Sequence, residues 1–232
     1  MKRLTVLASI ILIALSAISI AAQKNQGKQL TDAVNRVNDA SAAINQIMRA
    51  GDKGIPRDLL NKAEAVVVFP SVKKGAFIIG VQVGTGVAIK RVGNGWSAPA
   101  FLTLGGGSLG PQIGGSATDL ILLIMNDNGL KSLLNDHFEI GGEGSVAAGP
   151  VGRTAAASTS ATLGAEILTY SRSRGLFAGV SLKGVVINHD DDKNLAIYNK
   201  NATQILGSPP VVSADAPSAL QRLADTLATY SK

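Results

Sequence analysis

No cysteine occurs among the 232 residues. Disulfides, thiolate nucleophiles, cysteine-based zinc sites and a lipidated N-terminal cysteine are therefore excluded. Aromatic residues make up only 4% of the chain. A core must then be packed from Val, Ile, Leu and Ala against closely spaced backbone, a setting that the 26 glycines suit. The same scarcity leaves no aromatic platform on which unpaired bases could stack. Charge is also modest. The formal total is +6, of which Lys2 and Arg3 contribute two, so the remainder carries +4. That balance favours an anionic surface but falls far short of a nucleic-acid binder, and no nucleic-acid partner is expected.

What is present begins with a targeting segment. Lys2 and Arg3 precede an apolar run from Leu4 to Ala22 that ends in small residues. Residues 1–22 read as a signal peptide cut after Ala21 or Ala22. The run is also about long enough to span a bilayer, so an uncleaved anchor is the alternative. Either way residues 23–232 form an exported domain, periplasmic or secreted, for which cytosolic cofactors and partners are poor candidates.

Within that domain the period changes along the chain. From Lys28 to Ala50, Leu30, Val34, Val37, Ser41, Ile44 and Met48 recur at helical spacing, widened by Ala33, Ala40 and Ile47, and Gly51 is a natural stop. This amphipathic helix either covers the domain's own core or lies on a membrane. Pro56 opens a short helix to about Asn61, and "AVVVF" reads as a buried strand ended by Pro70. The period then becomes two. Gly93-Asn94-Gly95 marks a hairpin joining Val87–Val92 to Trp96–Leu104. Ala117–Met125 is a further buried strand and "LKSLLND" a short helix. More strands are expected near 144–148, 152–160, 165–171 and on to His189, then helices from Asp190 and near the C-terminus. The pattern is a single α+β domain: a glycine-rich, mainly antiparallel sheet, curled or barrel-like, with an N-terminal amphipathic helix and short C-terminal helices.

Several motifs imitate catalytic ones. Gly106-x-Ser108-x-Gly110 has the form of a nucleophile elbow, with Asp119 and His189 following in order. The overlapping Gly105-x-Gly107-x-x-Gly110 has the form of a dinucleotide loop. Each needs a helix directly after the glycines, where this chain has Pro111 and more glycine. Ser71-Val72-Lys73-Lys74 matches Ser-x-x-Lys but lacks the companion motifs of acyl-transfer enzymes. His189-Asp190-Asp191-Asp192 suits a helix cap better than a metal site, because consecutive carboxylates do not face one point. No catalytic residue, cofactor or metal is expected.

The ordered segments "IPRDLLNKAEAVVVFPSVKKGAFIIG", "GWSAPAFLTLGGGSLGPQIGG", "GPVGRTAA" and "YSRSRGLFAGVSLKG" resemble the SYLF lipid-binding domain family from about Leu30 to Leu206. The resemblance implies phospholipid binding, with phosphoinositides as ligands and actin association in some eukaryotic members, and no catalysis. The export leader puts actin out of reach here, so actin is not expected as a partner. Lys183 stands where an acidic residue is expected in the family. By chemistry and position, the candidate residues for an anionic phospholipid surface are Lys24, Lys28, Lys73, Lys74, Arg172, Arg174 and Lys183, with Val34, Val37 and Ile44 as an apolar element. A structural or protein-interaction module of the cell envelope, its partner unknown, is the alternative function, and a serine hydrolase the third.

Overall fold

In the computed structural model, which describes residues 26–51, 54–76, 79–109, 114–135, 137–141, 145–151, 164–173, 176–177 and 184–231, the alternating middle of the chain forms one ten-stranded sheet. The strands are β1 (Ala65–Ala76), β2 (Ile79–Val92), β3 (Gly95–Trp96), β4 (Ala100–Leu109), β5 (Gly114–Ile124), β6 (His137–Ile140), β7 (Val146–Ala148), β8 (Ile167–Ser173), β9 (Leu176–Phe177) and β10 (Val185–His189). Their order is β6-β10-β4-β2-β1-β5-β8-β7, with β3 on β2 and β9 on β8. Among the described residues every pairing is antiparallel except β7 with β8. The sheet curls into a half-barrel. Around it stand α1 (residues 26–48), α2 (Arg57–Lys62), α3 (Asp127–Leu133), α4 (Asp191–Tyr198), α5 (Ala202–Leu206) and α6 (Arg222–Tyr230). The α+β class expected from the sequence is the one observed.

The hairpin forms where the glycines place it. Val92 pairs with Gly95, and Gly93 takes a φ of 54°. The return strand is broken at Ser97–Pro99 and resumes as β4, paired with β2 from Ala88↔Ala100 to Ile79↔Leu109. Gly51, the expected stop of α1, has a φ of 60°. Two elements went unrecognised in the sequence, β6 and α5. The expected strand over 152–160 lies outside the described residues.

One expectation is overturned. β1 does not end at Pro70 but runs on to Ala76. It lies between β2 and β5, where a proline, having no N–H to give, is ordinarily excluded. A bulge accommodates it. Toward β2 the register passes from Val68↔Val87 to Lys73↔Val83, and toward β5 from Phe69↔Leu120 to Val72↔Thr118. On both sides β1 spends one residue more than its partner. Ser71 adopts a left-handed φ of 53° and donates its N–H to Asp119 Oδ1 at 2.9 Å. Because side chains alternate, the extra residue reverses the facing of everything after it. Val72 turns inward and is buried, while Lys73 is exposed.

α1 lies across one face of the sheet. Its Arg36 sits over the Phe101 ring of β4, and ten residues later Gln46 meets Arg172 of β8. The residues it buries are Ala33, Val37, Ala40, Ser41, Ala43, Ile44 and Ile47. All but Ala43 belong to the expected stripe, whose Val34 and Met48 are half-buried at its margin and whose Leu30 is exposed. Beneath it Val68, Val87, Phe101 and Ile121 are buried. On the opposite face Val67, Phe69, Leu102, Leu120 and Leu122 are buried as well. Covered on both sides, the central strands read as unbroken apolar runs at Ala65–Phe69 and Leu120–Ile124.

Phe69 packs directly on the backbone of β2. A Cβ placed on Gly86 would lie 2.4 Å from the Val68 carbonyl oxygen and 2.5 Å from the Phe69 ring. Gly86→Ala is therefore expected to lower stability by about 1–3 kcal/mol, read from a urea midpoint at unchanged slope. Gly105→Ala, where nothing lies within 4 Å, is expected to change it by no more than about 0.5 kcal/mol. Equal losses from the two would contradict this packing.

Candidate functional site

The nucleophile-elbow geometry does not form. Ser108 lies within β4, opposite Gly80, and not at a strand-to-helix turn. His189 pairs with Leu102, six positions back along the same strand, or roughly 20 Å at strand rise. Its Nε2 donates instead to the Leu133 carbonyl at 3.0 Å. The dinucleotide reading fails likewise, since β4 continues through Gly105–Gly107 where a helix would have to begin. Asp190 caps α4, its carboxylate accepting from the Lys193 N–H, as expected of a cap.

The candidate residues for an anionic surface fall in different places. Lys24, Arg174 and Lys183 lie outside the described residues. Lys74 is placed by its backbone in β1. Lys28 is exposed near the start of α1, whose neighbouring turn is occupied by an internal network. There Lys193 Nζ donates to Gln29 Oε1 at 2.7 Å and lies 4.0 Å from Asp32. Arg36 pairs with Asp190 at 2.6 Å. Burial, and then nearby Arg36, hold Lys193 below the ordinary lysine range, opposed by Asp32 and Asp190. Val37 and Ile44 are fully buried and Val34 is half-buried. In this packing they fasten α1 to the sheet and present no apolar face to a bilayer.

Arg172 is also engaged. It meets Gln46 of α1 and lies 3.6 Å from Asp119 Oδ2, with its side chain 27% exposed. Asp119 in turn holds the Ser71 N–H. Arg172 thus braces the bulge of β1 and the late turns of α1 together.

Beyond the reach of α1, the same face of the sheet is open. Val81 and Val83 of β2 are 56% and 53% exposed, and Thr85 and Lys73 are exposed beside them. The register explains their prominence. Val83 stands between Lys73 of β1 and Gly105 of β4, and Ala117 of β5 continues the row beyond Lys73. Val81 stands between Gly75 and Gly107, neither of which has a side chain to shield it. Gln82, between the two valines, points the other way and is 2% exposed. Alternation alone would turn the valines to the core and the glutamine to water. The structure inverts that order, because these valines share the face of Val87 and Ile89 but lie farther along β2, beyond the flank of the helix that crosses it. Of the expected residues only Lys73 joins this patch with its side chain described. Val81 and Val83 were missed, and the available signal was Thr85, which interrupts the apolar alternation between Val83 and Val87.

Comparison with known proteins gives a consistent family. A family profile described as "Las17-binding protein actin regulator" (Ysc84) matches residues 105–230. LAS seventeen-binding protein 3 of Saccharomyces cerevisiae is 36% identical over 163 residues, covering 68% of this chain and 35% of that protein. Protein YSC84 of the same yeast is 34% identical over 163 residues, covering 68% and 34%. The human SH3 domain-containing YSC84-like protein 1 is 32% identical over 149 residues, covering 63% and 43%. The chain therefore spans about a third of the length of these yeast relatives and under half of the human one.

The polar junction under α1 offers one test of its own. Tyr198 of α4 stacks on Phe101, ring centroids 6.3 Å apart, and its hydroxyl is buried with no hydrogen-bond partner among the described residues. Burial pushes this phenol above its usual range. Tyr198→Phe is expected to raise stability at neutral pH by about 1 kcal/mol, since it removes an unsatisfied buried group. The folded-state pKa lies above the unfolded one, so the wild type loses stability as pH climbs past 10.0, the ordinary tyrosine value. The variant should lose less over that range. Thermal unfolding of both proteins from neutral to alkaline pH checks the two effects.

Proposed function

The chain belongs to the Ysc84 family, whose shared unit is the SYLF domain, and from that membership we propose that it is a non-catalytic module that docks on anionic phospholipid surfaces. The observation that carries this reading is the open part of the α1-covered face, where Val81 and Val83 protrude beside Lys73. Contiguous exposed apolar side chains are unusual on a soluble domain and mark contact surfaces. Each lysine near an anionic bilayer contributes on the order of 1 kcal/mol, screened by salt. The valines add roughly 25 cal/mol for each Å² they withdraw from water. The two terms together suit a reversible peripheral contact. The apolar part comes from β2, since Val37 and Ile44 are committed to the core. We further propose that residues 1–22 act as an export leader, so that this surface meets its membrane from the periplasm or the cell exterior.

A protein-docking use of the same face is favoured by the name of one yeast relative, LAS seventeen-binding protein 3, and by the family description as Las17-binding. Capture of a protein partner that survives delipidation and is lost with Val81→Asp/Val83→Asp would support that use.

Co-sedimentation tests the lipid reading. The chain is expected to pellet with vesicles of phosphatidylglycerol and phosphatidylcholine, less so at high salt, and weakly with phosphatidylcholine alone. Val81→Asp/Val83→Asp should weaken binding by about tenfold or more, equivalent to about 1.4 kcal/mol. Equal pelleting of wild type and variant, or no pelleting of the wild type with either vesicle, would contradict it.

A further inference from the structure

We infer that Asp119 is a positioning residue for this docking surface: by holding the bulge of β1 it decides that Lys73, and not Val72, stands beside Val83. The inference rests on the membrane-docking reading for its consequence, but its geometry is independent of that reading.

Three observations carry it. The first is the register. Were β1 regular, Val68↔Val87 would continue to Val72↔Val83, and Lys73 would share a facing with buried Gln82. The observed pairs are Lys73↔Val83 and Val72↔Thr118. The second is the backbone. Ser71 is one of two described residues other than glycine with a positive φ, and this conformation is unfavourable for a side chain with a Cβ. It persists only where the surroundings over-determine it. The third is the contact that does so. Pro70 offers no N–H, and the N–H of Ser71 turns out of the ladder to Asp119 Oδ1 at 2.9 Å. The other carboxylate oxygen lies 3.6 Å from Arg172, which Gln46 of α1 meets in turn. The carboxylate is therefore fixed from two sides, by the sheet and by the helix that limits the open patch.

Arg172 consequently changes role. The sequence offers it as a cation for lipid headgroups, whereas its place behind Asp119 makes it a brace. Charge removal at Arg172 would act through the bulge and not through direct contact with phosphate.

The test reads Lys73 directly. The full chain is labelled with an amine-directed reagent, and modification of Lys73 is quantified by mass spectrometry against exposed Lys131 of α3. In Asp119→Ala, Lys73 labelling should fall several-fold while Lys131 stays constant. Adding Ser71→Gly, which removes the penalty of the left-handed backbone, should restore it. Asp119→Asn keeps an acceptor for the Ser71 N–H and should retain labelling and vesicle binding; if the alanine variant does not fold, loss of Lys73 labelling in folded Asp119→Asn overturns the inference. Unchanged Lys73 labelling in folded Asp119→Ala overturns the inference. Vesicle binding is measured on the same samples, using phosphatidylglycerol with phosphatidylcholine. Loss of binding with loss of labelling, both restored by Ser71→Gly, supports the positioning role. Loss of labelling with binding intact overturns the role in docking. A wild type that never pellets overturns the docking reading, while the labelling still decides the bulge.

Discussion

In the middle of a wide sheet, Ser71 gives its backbone N–H to the Asp119 carboxylate, next to a proline that has none to give. Much else follows from that contact. It lets β1 run past Pro70 and stay paired on both sides to Ala76. It also reverses the alternation, so that one strand serves a fully buried layer in its first half and a half-exposed layer in its second. Val66 to Phe69 can all be buried because α1 and the opposite layer cover both faces there. Past the bulge only one face is covered. The reversal sends Val72 into the covered side and Lys73 to the open one.

The helix laid across the sheet sets the extent of that open side. α1 reaches from β4 to β8, is buried along Ala33, Val37, Ala40, Ile44 and Ile47, and is tied at its margins by Arg36–Asp190, Lys193–Gln29 and Arg172–Gln46. Such fastening consumes the apolar stripe and Arg36, a cation that a membrane-lying helix would use. Val81 and Val83 remain beside the flank of α1, farther along β2. Protein surface of this kind, apolar among glycines with a lysine at its border, suits peripheral contact.

Long periodic segments were legible in the sequence for the usual physical reason, that burial imposes a period. The helix over Lys28–Ala50, the hairpin at Gly93-Asn94-Gly95, the strand ending before Asn126 and the helix after Asp190 all correspond to observed elements. β6 escaped notice although His137 to Ile140 alternates, because four residues give too short a signal. Pro70 misled for a specific reason: proline ends a regular strand, and only the side chain of Asp119, 49 positions from it in sequence, lets this one continue. The site was less legible than the fold. Whether a lysine is free or paired, and whether a valine is covered, depends on which strands lie side by side. Arg172 looked free until Asp119 and Gln46 were placed beside it, and Val81 and Val83 looked like core.

The central claim is a register, and backbone NMR reads registers directly. Interstrand proton contacts of Lys73 with Val83 and of Val72 with Thr118 are the predicted result. Contacts of Val72 with Val83, continuing the Val68–Val87 pairing without a break, would contradict the account.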